Sequence, residues 1–199
     1  MFTFEEEILE PIARHFRYRK GYSHIKNKNT IIVDLGCGPD LSFRKFLIKK
    51  GFSAKKYIGV DPLINNRTLK KFINNKNVLL LKNRAENLPI KNNSVNYIVG
   101  FAFLEHVDNP KIVIGESLRI LKKGGYAIFT CPSNKATKLL EFLSFKLGLI
   151  SKTLMAEHKN YFEKSDLKSL TKSYKNRLIF KHQYFEFGLN NLMIIKKIK

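Results

Sequence analysis

Short β-branched and aliphatic runs alternate, over the first 130 residues, with longer segments whose apolar positions recur at helical spacing. Thr30 to Leu35 is a compact apolar run that reads as a buried strand, and Gly36 to Pro39 break it. Leu41, Phe43, Phe46 and Leu47 then share one face of a helix that ends near Gly51. The same alternation repeats. Tyr57 to Asp61 is a second strand, Thr68 to Ile73 a helix, Val78 to Leu81 a third strand and Val95 to Val99 a fourth. Pro110 to Lys122 carries a broad apolar stripe of Ile112, Val113, Leu118, Ile120 and Leu121, and Gly124-Gly125 are expected to end that helix. Tyr126 to Thr130 is a fifth strand, and residues 4–24 read as one or two helices ahead of the series. Strands alternating with helices predict an α/β protein: a Rossmann-like, three-layer αβα arrangement around a mostly parallel sheet.

Beyond residue 132 the rhythm changes. Ala136 to Ile150 is an amphipathic segment rich in Leu and Phe, and Lys164 to Lys172 is a further helix. Two strands close the chain, near 177–187 and 191–198, joined around Gly188-Leu189-Asn190. So short a connection favours an antiparallel hairpin. The whole reads as a single domain over 1–199, with an N-terminal helical segment (1–29) and a lid or insert segment (132–165).

Composition narrows this only in part. The 199 residues are 44% hydrophobic, which suits one globular core, and the formal net charge is +21. Such charge attracts nucleic acid, anionic membrane surfaces or acidic substrates. However, Lys far outnumbers Arg and no dense basic run concentrates it, so a solvated surface of biased composition explains it better. Cys37 and Cys131 form no CxxC pair, so no metal site is expected, and distant thiols fit a reducing, cytoplasmic setting. The acidic start, Met1 to Glu7, does not read as a secretory signal, and no apolar stretch is long enough to span a bilayer.

The chemistry sits in the loop after the first strand. Glycines at 36 and 38 allow close backbone approach and positive φ. Asp61, at the end of the second strand, is placed to accept hydrogen bonds from ribose hydroxyls. A dinucleotide loop wants a third glycine, but Leu41 stands there, and Asp34 and Asp40 would repel a pyrophosphate. S-adenosyl-L-methionine (SAM) has a cationic sulfonium and an amino group and no phosphate, so the same acids suit it.

Val33-Asp34-Leu35-Gly36-Cys37-Gly38 resembles the first motif of class I SAM-dependent methyltransferases, and Tyr57-Ile58-Gly59-Val60-Asp61 resembles their second. Arg84 to Ile90 is similar to their adenine-flanking segment. Phe103-Leu104-Glu105-His106-Val107 is similar to the segment after their fourth strand, and Leu118 to Gly125 to their turn into the fifth. The resemblance implies a seven-stranded sheet with an antiparallel last strand. It implies that Gly36, Cys37 and Gly38 border the methionine part of SAM, that Asp34 helps hold its amino group, and that Asp61 and Pro62 lie at the ribose. Ala85 and Glu86 would flank adenine, with Phe101 at the cleft. Two departures stand out: Arg84 and Asn96 replace frequent family aspartates, and Arg84 cannot accept a hydrogen bond from adenine.

Methyl transfer is an in-line displacement from a good leaving group, so positioning supplies much of the rate. A base is required only for a protonated, weakly acidic acceptor. His106, after the fourth strand, is of the side-chain type suited to moving protons near neutral pH; packing against the cofactor loop is the competing role. His158 and Tyr161 are candidates to contact acceptor, and Glu105 is expected to hydrogen-bond locally. Residues 139–150 read first as a core helix, with a lid, lipid-facing or dimer surface as alternatives. A weaker resemblance, of His158-x-x-Tyr161-Phe162 and Tyr184 to Asn191, is to bacterial polysaccharide-assembly methyltransferases. It implies a sugar or glycolipid acceptor, with the small-molecule or quinone-like acceptors of related sequences as the close runner-up. RNA-directed methylation and non-catalytic SAM binding are the alternatives, in a monomer or homodimer.

Overall fold

The computed structural model describes residues 10–136 and 161–199. Helix α1 (Glu10–Tyr22) leads into a βα series: β1 (Ile31–Leu35), α2 (Ser42–Lys49), β2 (Lys56–Val60), α3 (Asn66–Phe72), β3 (Val78–Leu81), β4 (Val95–Phe101), a one-turn 3₁₀ helix (Leu104–His106), α4 (Pro110–Ile120) and β5 (Leu121–Pro132). After the undescribed segment come α5 (Lys164–Leu170), β6 (Leu178–Phe185) and β7 (Asn190–Lys197). The seven strands form one sheet in the order β3-β2-β1-β4-β5-β7-β6. β1 to β5 pair in parallel, and β7 runs antiparallel to both β5 and β6. The predicted hairpin and the reversed last strand are therefore both present.

Alternation along the strands divides the core between the two faces of the sheet. On one face Ile32, Tyr97, Val99 and Ile128 meet Phe43, Phe46 and Leu47 of α2, with Tyr18 and Tyr22 of α1 packed alongside. On the other, Val33, Ile98, Ala127 and Phe129 meet Val113, Ile114 and Leu118 of α4 and Leu167 of α5. The three layers follow from these two apolar faces. The helical face read from Phe43, Phe46 and Leu47 is the buried face of α2.

Two boundaries differ from the sequence expectation. Gly124-Gly125 do not end α4. The helix stops at Ile120, and Leu121 is already extended (φ −62°, ψ 138°) and paired with Val95. The glycines lie inside β5, where the register slips between Val95 and Tyr97. A side chain on Gly125 would approach the Asn96 carbonyl to 2.9 Å, so close strand packing, and not a helix stop, accounts for glycine there. The helix beginning at Lys164 ends at Leu170, and Lys172–Tyr174 form a separate 3₁₀ turn. The Leu- and Phe-rich 136–150 segment lies, from residue 137 on, outside the described residues.

Lys197 locks the reversed strand. Its buried ammonium donates to the carbonyls of Leu118 (2.7 Å) and Leu121 (2.8 Å) and to Asn93 Oδ1 (2.5 Å). It thereby satisfies carbonyls freed where α4 turns into β5. Lys197→Met keeps the bulk and leaves these carbonyls unpaired. The expected cost is about 1–3 kcal/mol in urea unfolding; an unchanged midpoint would show that the ammonium contributes nothing to the join.

Candidate active site

The loop after β1 hangs on the end of β2. The Gly36 and Cys37 amides donate to the Val60 carbonyl at 2.9 and 3.3 Å. The Gly38 amide donates to Asp61 Oδ2 at 2.9 Å, and the Leu63 amide to Oδ1 at 2.7 Å. One carboxylate thus fastens two loops, and each oxygen retains accepting capacity for a ligand hydroxyl. Gly36 (φ +70°) and Gly38 (φ +62°) both occupy the left-handed region. A Cβ on Gly36 would strike the Phe103 ring at 2.7 Å, whereas one on Gly38 would meet only open space. Gly36 is therefore required by packing, and Gly38 keeps the loop surface clear. α2 starts only at Ser42, capped by Leu41 in left-handed conformation, and the exposed Asp40 pairs with Lys45 at 3.8 Å.

Beneath this loop Asp34 is buried and accepts a hydrogen bond from the Tyr57 hydroxyl. Burial pushes the Asp34 carboxyl up to about 7; the Tyr57 bond acts against the shift and the charge of Asp61 adds to it. Such a carboxyl ionises readily once a cation is placed beside it, which fits a ligand carrying an ammonium and a sulfonium. The Cys37 side chain is buried in the apolar cluster below, against Gly59, and burial raises its thiol, so only its backbone borders the loop surface. Pro62 is exposed directly after Asp61.

At the end of β3, Ala85 is buried and Glu86 half-buried. Arg84 spans the rim: its guanidinium reaches Glu86 at 3.1 Å and Asp108 at 2.5 Å, joining the loops after β3 and β4. The substitution that removes an acceptor for adenine thus supplies a clamp. Asn96 lies at the N-terminal end of the central strand β4, away from the glycine loop, accepting from the Ile31 amide at 3.0 Å. Phe101 packs its ring against Phe43 (4.7 Å between centroids) and Tyr18 (5.1 Å), tying α1 to α2.

His106 is exposed at the end of the 3₁₀ turn after β4. Tyr161 is half-buried, next to Phe162, whose carbonyl accepts from the buried Asn191 side chain at 2.8 Å. His158 lies outside the described residues. Glu105 is completely buried, and the local bonding expected of it comes from its own backbone amide and from no other described residue. Burial pushes it up to about 8, against its own backbone amide and the attraction of Arg17. Sequence reasoning did not single out Tyr57, Phe103 or Arg17, because what brings them to the site is contact across the sheet, and no motif spacing reports that.

A family model described as a methyltransferase domain matches residues 5–174. The chain belongs to this methyltransferase family. A ubiquinone biosynthesis O-methyltransferase of Dictyostelium discoideum mitochondria is 30% identical over 138 residues, covering 63% of this chain and 41% of the relative. The chain thus spans less than half the length of that relative. Among solved structures, a methyltransferase from a Haloferax volcanii complex with the Trm112 activator superposes with a TM-score of 0.72 at 12% identity, covering 94% of this chain and 91% of the other. A protein of Methanococcus maripaludis assigned as a SAM-dependent methyltransferase gives 0.66 at 15% identity, covering 98% and 90%. The fold is the Rossmann-like methyltransferase fold. No described helix is long and apolar enough to cross a membrane.

The two raised carboxyls set a pH dependence. Between the unfolded value near 4 and the folded values near 7 and 8, the native state binds more protons than the unfolded chain. Stability therefore falls as pH rises from about 5 to 8, by up to roughly 1.4 kcal/mol per pH unit for each group. Thermal melts of the ligand-free protein should show this loss, and Glu105→Gln should flatten its upper part. A melting temperature that rises over the same interval would contradict the assignment.

Proposed function

We propose that this methyltransferase moves the methyl group of SAM onto a hydroxyl oxygen of a small-molecule, sugar or glycolipid acceptor. The observation that carries the cofactor side is the clasp of Asp61 by the Gly38 and Leu63 amides, with the buried Asp34 beneath the loop. In this reading Asp61 and Pro62 lie at the ribose, and Asp34 faces the ammonium. The Gly36, Cys37 and Gly38 backbone borders the methionine part. Ala85 and Glu86 flank adenine, and Phe101 braces the cleft from below. SAM supplies an electrophilic methyl on a sulfonium leaving group. The chain aligns the acceptor and shields it from water. Tyr161, His158 and His106 are the acceptor-contact residues of this reading.

The oxygen acceptor is supported by the Dictyostelium discoideum relative, which is named as an O-methyltransferase. The local charge favours an acceptor without phosphates. Asp34, Asp61, Glu86, Glu105, Asp108, Glu163 and Glu186 all lie at or after the C-terminal ends of strands, or are bonded to residues there. A polyanion such as RNA would meet them at the cleft despite the overall +21.

Asp61→Ala removes a charged acceptor and releases the Gly38 amide. Its expected effect is a loss of about 1.5–3 kcal/mol of SAM binding, roughly 10- to 100-fold by calorimetry. Methyl-labelled SAM, supplied with phenolic, glycosidic and RNA acceptors, should place label in O-methyl groups of the small molecules. Label appearing in RNA alone would overturn the reading.

A further inference from the structure

The two layers of helices differ in charge. α1, α2 and α3, which cover one face of the sheet, carry ten Lys and Arg side chains against a single acid, Glu10. α4 and α5, on the other face, carry four against two. A compositional bias alone would load both layers alike. In the first layer part of the charge converges. A cavity of about 400 Å³ lies between α1 and α2, where Arg14, His15 and Tyr18 of α1 meet Lys45, Lys49 and Lys50. Glu10 stands 3.6 Å from Arg14 and the exposed Asp40 stands 3.8 Å from Lys45, both too long for hydrogen-bonded pairs. Glu10 is moreover held by Arg17 at 2.7 Å. Four cations of the cavity thus face two carboxylates, one of them already engaged. His15 meets the Phe46 ring edge-on at 5.7 Å and Lys50 lies over it at 5.8 Å, so the walls are cationic and aromatic together.

The same face exposes apolar surface. Ile12 (51% exposed) and Phe16 (47%) stand one turn apart on the outer side of α1. Ile48 (55%) stands between Lys45 and Lys49 on the outer side of α2. α3 continues the layer, tied to α2 by the Arg44 guanidinium 5.2 Å over the Phe72 ring. It presents Arg67, Lys70 and Lys71 to solvent and leads into Ile73, which is 78% exposed. One exposed apolar side chain needs no explanation, but four on one cationic face form a pattern.

The occupant must use both features. Nucleic acid would pair its phosphates with the cations but stacks its bases on aromatic rings and guanidinium planes, leaving Ile12, Ile48 and Ile73 in water. A bilayer surface uses everything present. Lipid phosphates meet the cations, while apolar side chains and the long Lys stems enter the boundary between headgroups and acyl chains. We propose that the outer face of α1, α2 and α3 docks on an anionic phospholipid bilayer, with the cavity between α1 and α2 receiving a headgroup phosphate among Arg14, Lys49 and Lys50.

Binding of this kind rests on the surface and spans nothing. Each Lys or Arg close to an anionic leaflet strengthens it roughly fivefold, and the gain fades beyond the Debye length and with added salt. The apolar side chains supply a part that salt does not screen. Docking is independent of which acceptor is methylated. It also lies next to the chemistry, because Ser42, at the start of α2 directly after the cofactor loop, lines the same cavity.

The test sediments the full chain with vesicles of phosphatidylcholine alone, or of phosphatidylcholine mixed with phosphatidylglycerol, at low and high salt. The chain should bind the anionic vesicles, more weakly as salt rises, and largely ignore the neutral ones. Lys49→Gln combined with Lys50→Gln should weaken binding roughly 30-fold. Lys172→Gln combined with Lys175→Gln removes the same charge from the opposite layer and should leave binding unchanged. Ile12→Ser combined with Ile48→Ser should abolish the part that survives high salt. All six side chains are exposed, so melting temperatures should match the wild type. Absence of binding to anionic vesicles at low salt overturns the proposal, as does binding that the Lys49 and Lys50 changes leave intact. Equal losses in the two lysine pairs would make net charge the cause and overturn it too. Release of the vesicles by inorganic phosphate at matched ionic strength would make the cavity a site for the free anion. Binding of single-stranded RNA without binding of vesicles would assign the face to nucleic acid.

Discussion

The position of β1 between β2 and β4 is the constraint on which the site depends. Strand order reverses there, so the connections from β1 and β4 leave in opposite directions and open a crevice at their C-terminal ends. Parallel pairing of Leu35 with Val60 brings the glycine loop level with Asp61. From that register follow the hydrogen bonds of Gly36 and Cys37 to Val60 and of Gly38 to Asp61. A slip of one residue would turn Asp34 to the opposite face and separate the loop from its clasp.

Charge is distributed in two zones. The chain is strongly cationic, yet carboxyls gather where the strands end, and burial raises two of the most deeply buried, Asp34 to about 7 and Glu105 to about 8. Cations such as Lys45 and Lys49 of α2, Lys50 just after it, and Arg67, Lys70 and Lys71 of α3 decorate the outer layers. A cationic cofactor entering the crevice therefore meets attraction at close range, within the Debye length, whatever the net charge at a distance. This is why net charge by itself was a poor guide to the ligand.

The sheet was legible in the sequence because its signals are local. β-branched runs marked the strands, and Phe43, Phe46 and Leu47 marked a helix face that is indeed buried. The cofactor loop was legible because glycine spacing and the Asp61 position are backbone requirements. What escaped were contacts between residues remote in sequence. Tyr57 reaches Asp34 only because their strands are adjacent, Arg84 meets Asp108 only because two loops converge, and Glu105 is raised to about 8 only because the turn buries it completely. The glycine pair at 124–125 misled for a related reason: its cause is a neighbouring strand's carbonyl, invisible in a helix-stop pattern.

The central claim is that the loop from Asp34 to Gly38, clasped by Asp61, selects a cationic nucleoside without phosphates. Competitive calorimetric titration of the wild-type chain with SAM and with NADH tests this most directly. The account predicts saturable one-to-one binding of SAM that a large excess of NADH does not displace. Binding of NADH with no heat from SAM would contradict it.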